Sequence, residues 1–101
     1  MITTYEFNLK LPDVKAEDLK IDYFFKNPVV IGPERVAEIP IGRAKKIFEK
    51  DSDLKVIIEF DPLNKRAREI MKEIKKYEAH AVISGFDLLA IEIRPKTERS
   101  I

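Results

Sequence analysis

Apolar residues along this chain switch between a period of two and a period near 3.6, and proline, glycine and aspartate mark the switch points. In "YEFNLKL", Tyr5, Phe7, Leu9 and Leu11 share one face while Glu6, Asn8 and Lys10 take the other, which predicts a half-buried strand. "PDVKAED" reads as a polar connection. A second alternation sets Leu19, Ile21, Tyr23 and Phe25 against Lys20 and Asp22, with Phe24 breaking the pattern as in a strand covered on both faces. "NPVVIG" predicts a short buried strand closed by Gly32 and Pro33.

Pro40 suits the first position of a helix, where its missing N–H costs nothing. Ile41, Ala44, Ile47 and Phe48 then share a helical face, predicting a helix over 40–50 that "DSD" ends. "LKVIIEF" is β-branched and apolar at consecutive positions, as in an interior strand. Asp61 and Pro62 are placed to cap and open a helix over 62–78, with Leu63, Ala67, Ile70, Met71, Ile74 and Tyr77 as its buried stripe. "AHAVI" and "LLAIEI" predict the last strands, joined by the "SGFD" turn around Gly85 and stopped by Pro95.

The expected order is β-β-β-α-β-α-β-β, an α+β fold built as a two-layer sandwich: a mixed β-sheet with two helices on one face. The length of 101 residues suits one domain: an N-terminal strand pair over 1–26, a βαβαββ core over 27–96 and a frayed tail over 97–101.

Composition narrows the chemistry. The chain has no cysteine, which excludes disulfides, zinc knuckles and thiol nucleophiles. Its apolar runs are too short to cross a bilayer and no basic-then-apolar leader opens it, so cytoplasmic residence is the expectation. A net charge of +1 announces no long-range field for nucleic acid or membrane. Charged residues nevertheless make up 37% of the chain, and glutamine and tryptophan are absent. That bias matches thermophilic proteins, whose surface ion pairs account for many lysines and glutamates without a functional role.

Asp61, after an interior strand, and His80, the single histidine, are the first candidates for a reactive pair. A helix of about sixteen residues between them spans roughly 24 Å, too far to share a proton. Asp61 is read instead as a helix cap, and His80, alternating with Ala79 and Ala81, as a strand residue placed with Val82 or on the open face of the sheet. One imidazole without a thiolate or second histidine makes a poor transition-metal site. None of Ser52, Ser84 and Ser100 lies in a nucleophile elbow, and the 3 glycines form no phosphate-cradling loop. No catalytic residue, metal or cofactor is assigned, and an enzyme is the minority reading.

The stretch 27–96 resembles two families in element order. "IPIGRAKKIFEK" resembles the helix after the Cys-Pro-x-Pro motif of TusA/SirA-like sulfur carriers, and "VIIEFDP" their strand ending in Asp-Pro. Pro40 matches the second proline of the motif, while Ala37 stands at the cysteine and Glu38 at the first proline, so the resemblance implies their fold without persulfide transfer. "NPVVIGPERV" and "LLAIEIRPK" look like the opening and closing strands of Alba-like nucleic-acid-binding proteins. Pro33 and Glu34 replace that family's basic pair, and a short turn replaces its long arm. "LPDVKAEDLKIDYFFKNPVVIGPER" is similar to early strands of small heat-shock proteins and is read as a strand–turn–strand element reached independently.

The leading functional expectation is a non-catalytic interaction or scaffold protein that self-associates through Tyr23, Phe24 and Phe25, since aromatic excess at a sheet edge tends to be buried against a copy. The rival is a weak nucleic-acid binder. Segments 40–50 and 62–78 carry four basic against one acidic and six against three, each summing to +3. Arg43, Lys46, Arg66 and Lys72 are its first phosphate contacts. A third expectation is a pocket for a small anion near Gly32, Ala37 and Asp61, where strand ends and helix N-termini meet.

Overall fold

The computed structural model describes residues 2–15, 17, 28–31 (backbone) and 40–96. The elements are β1 (Thr4–Lys10), β2 (Pro28–Ile31), β3 (Gly42–Lys50), β4 (Asp53–Phe60), α1 (Lys65–Lys72), a 3-10 turn (Ile74–Lys76), β5 (Tyr77–Ser84) and β6 (Asp87–Pro95). The strands form a closed mixed barrel in the order β1-β4-β3-β2-β6-β5. The α+β two-layer sandwich with two helices on one face is therefore not formed, nor is the βαβαββ order shared with the sulfur-carrier and Alba-like domains.

The decisive difference lies at 40–50, a strand where the spacing predicts a helix. Ala44 pairs with Ile58, but the next partners are Lys46 and Ile57, so Lys45 is the extra residue of a β-bulge. The bulge moves the inward phase by one residue, so Ala44 and Ile47 are both buried, while Ile41 is buried at the bend before β3. Three-residue steps of this kind imitate one face of a helix. Gly42 lies opposite Phe60 in the same ladder, where a Cβ would stand 2.4 Å from the Glu59 carbonyl oxygen. Only glycine fits that close approach without a backbone shift.

Two tight turns fix the remaining registers. Asp51 and Ser52 link β3 to β4 with φ of 52° and 69°, the pair of left-handed residues that a type I′ hairpin requires. Gly85, with φ of 63°, begins the two-residue turn between Ser84 and Asp87, as the sequence predicts. A second bulge follows: Val82 faces Ala90 and Ile83 faces Leu88, leaving Leu89 as the extra residue.

The barrel interior is filled by Phe7 and Leu9 of β1, Leu54, Val56, Ile58 and Phe60 of β4, Ala79 and Ala81 of β5, and Ile91 and Ile93 of β6. The Phe60 ring meets Tyr5 and Phe7 edge-on, with centroids 5.9 and 6.3 Å away. Each such pair contributes about 0.5–1.5 kcal/mol beyond the area it buries. Ala67 and Ile70 of α1 join the same core, so the helix closes the barrel end from which β4 leaves and β5 departs.

The second helix forms over a shorter span than 62–78. Asn64, not Asp61, is its cap: the Asn64 Oδ1 accepts the Ala67 N–H at 3.1 Å. Asp61 accepts the Leu63 N–H at 2.9 Å and so forms the turn before the helix. Leu63 is consequently 87% exposed, and Tyr77 belongs to β5. The expected strand over 19–25 with Tyr23, Phe24 and Phe25, the loop residues Gly32 and Ala37, and the tail 97–101 lie outside the described residues.

Candidate interaction site at the β1–β5 seam

Among the described residues, β1 is fully laddered on one side only. Against β4 it pairs from Thr4↔Glu59 to Asn8↔Lys55, whereas against β5 it pairs only at Leu9↔Ala79 and Lys10↔His80. The Phe60 N–H donates to the Thr3 carbonyl at 2.9 Å, which sets the alternation of the ladder. Tyr5 and Phe7 therefore direct their backbone groups to β4, and Glu6 and Asn8 direct theirs to the β5 side. There the register runs off the start of β5 at Tyr77, and β1 borders a groove of about 380 Å³ shared with the 3-10 turn. Tyr5, Phe7, Ile74 and Tyr77 supply its apolar surface, and Lys10, Lys75, Lys96, Glu6 and Glu78 its charges.

A polar cluster marks the point where the seam zips shut. Period-two spacing on β5 puts Glu78 and His80 on the outer face, and β6 does the same for Glu92 and Arg94. Glu78 lies opposite Arg94, and His80 opposite Glu92. The Glu78 carboxylate meets Lys10 Nζ at 3.1 Å and His80 Nε2 at 2.7 Å. Arg94 bonds the fully buried carboxylate of Glu92 and reaches toward His80 Nδ1 at 3.4 Å. Burial raises the Glu78 pKa, but the hydrogen bonds and charges of Lys10 and His80 outweigh that and hold it below the ordinary carboxylate value.

His80 Nε2 lies against the Glu78 carboxylate and Nδ1 faces the Arg94 guanidinium. Both ring nitrogens are thus engaged in ties among β1, β5 and β6, a geometry suited to fastening strands rather than abstracting protons. No cluster of three metal-ligating side chains occurs among the described residues. Alternation alone places His80 with Val82, but it does not reveal Lys10 or Arg94. The Glu-x-His and Glu-x-Arg spacings at 78–80 and 92–94, folded about the Gly85 turn, are the sequence signal for this cluster.

The other candidate residues are dispersed. Arg43 is on β3 and pairs with Glu59 at 3.2 Å, while Lys46 on the same strand stands 5.2 Å from the centre of the Phe48 ring. Arg66 and Lys72 are exposed on α1, so the four share no pair of helices. Asp61 borders a depression of about 400 Å³ that also contains Glu59 and Arg43. Its two carboxylates against one guanidinium disfavour an anion, and the helix N-terminus lies beyond it at Asn64.

No protein-family model, curated protein or solved structure matches the chain. No helix among the described residues is long and apolar enough to cross a membrane.

Proposed function

We propose that this protein is a non-catalytic interaction module that takes up an extended polypeptide segment by strand addition along β1. The observation that supports this reading most is the half-laddered β1, where the Glu6 N–H and C=O and the Asn8 N–H border an open groove while the Asn8 carbonyl is taken up in the bridge to Ala79. Strand addition draws its affinity from such main-chain donors and acceptors, and its selectivity from the alternating side chains around them. Titration of 15N-labelled protein with a blocked pentapeptide of alternating valine and threonine tests it. The amides of Glu6 and Asn8 should shift and become protected, and Asn8→Pro should abolish the effect while the unfolding transition persists. Unmoved Glu6 and Asn8 amides at millimolar peptide would refute it.

Self-association is the second reading, and one observation favours it: Phe86 and Leu89 are 53% and 52% exposed near the tip of the β5–β6 hairpin. The second bulge turns Leu89 outward there. A copy would pair poorly at the open β1 edge itself, because a two-fold centred on Thr4–Asn8 sets Glu6 against Glu6. Light scattering over a concentration series, compared with Phe86→Ser/Leu89→Ser, decides the point. A strict monomer throughout removes this reading.

A further inference from the structure

Resting on strand addition at β1, we infer that the segment recognised is acidic as well as apolar. On the other side of Tyr5 from the groove beside β1 lies a second depression of about 330 Å³, lined by Ile2, Tyr5, Met71, Arg68 and Lys72. Tyr5 borders both, so the two depressions adjoin at that side chain, one beside β1 and the other against α1. The lining carries Lys10, Lys75 and Lys96 in the first part and Arg68 and Lys72 in the second, five cations against the carboxylates of Glu6 and Glu78.

That local excess of +3 contrasts with +1 for the whole chain, so positive charge is concentrated where the backbone edge is open. Glu78 is already engaged by Lys10 and His80, which leaves Glu6 as the other carboxylate of the lining, sharing the groove with Lys75 and Lys96 while Arg68 and Lys72 line the neighbouring depression. An extended strand presents alternate side chains to opposite sides. Apolar residues on one side meet Tyr5, Phe7, Ile74 and Met71, and carboxylates on the other meet the lysines. The open stretch from Thr4 to Asn8 sets the length of the recognised segment at about five residues. A bare phosphate chain would answer the charge but would leave the Glu6 carbonyl without a donor, whereas a peptide strand offers donors and acceptors to the Glu6 N–H and C=O and the Asn8 N–H.

The test compares two blocked pentapeptides, valine alternating with glutamate and valine alternating with lysine, by fluorescence anisotropy and by amide shifts. The glutamate peptide should bind about tenfold tighter at low salt, and Lys75→Glu/Lys96→Glu should remove or invert that preference. Equal affinities, with Glu6 and Asn8 shifted by both peptides, overturn the acidic preference while strand addition stands. If neither peptide moves those amides, strand addition itself fails. A thymidine decamer that binds and moves Arg68 and Lys72 while both peptides stay silent overturns the proposal in favour of single-stranded nucleic acid.

Discussion

Replacing Gly42 by alanine separates the strand at 40–50 from a helix by the sign of the effect. In the barrel, the new methyl would stand 2.4 Å from the Glu59 carbonyl oxygen and 3.0 Å from the Phe60 Cα. Both neighbours are backbone of β4, held between β1 and β3, so neither can rotate away. Relief requires the β3–β4 ladder to part locally, an overpacking cost of about 1–3 kcal/mol. Within a helix over 40–50 the same change would stabilise the protein, by up to about 1 kcal/mol. For a domain of this size each kcal/mol corresponds to a Tm change of about 4–8 °C. Urea unfolding followed by circular dichroism, with a thermal scan beside it, measures the difference. A Gly42→Ala protein as stable as the parent, or more so, would refute the close approach and the strand register built on it.

Further predictions follow from single features. Asp51→Asn/Ser52→Gly supplies the residues that both positive φ angles favour and should raise stability by about 1 kcal/mol in the same urea assay. Asn64→Ala removes the side-chain acceptor of the Ala67 N–H and should cost about 1 kcal/mol, whereas Asp61→Ala should leave the helix cap in place. Because the Glu78 carboxyl is held below its unfolded value, its contribution is present above the unfolded pKa and lost as pH falls through the lower folded one. Unfolding free energies at neutral pH and near pH 3 should therefore differ more in the parent than in Glu78→Gln; equal differences would contradict the ion-pair assignment.

The legible parts of the fold were those where one local rule acts alone. The alternation of Tyr5, Phe7 and Leu9 gives β1, the β-branched run gives β4, and Gly85 marks the last hairpin. Ile41, Ala44 and Ile47 imitate a helical face because a bend before β3 and a bulge within it each leave an apolar step of three, and period alone cannot separate these from a helix. Pro40 strengthened the wrong choice, since proline precedes strands as readily as it opens helices. At 61–64, Asp61 and Asn64 are both competent caps, and the sequence does not show which one meets a free N–H. The seam was hidden for a different reason. It depends on where β1 and β5, distant in sequence, stop pairing, and no local pattern records that register.

Strand addition requires the half-laddered state of β1, and amide hydrogen exchange of the free protein measures it residue by residue. Tyr5 and Phe7, bonded to β4, should exchange slowly, while Glu6 and Asn8, facing the groove, should exchange orders of magnitude faster. Uniform protection from Tyr5 through Asn8 would contradict it, because the edge offered to a partner strand would already be filled.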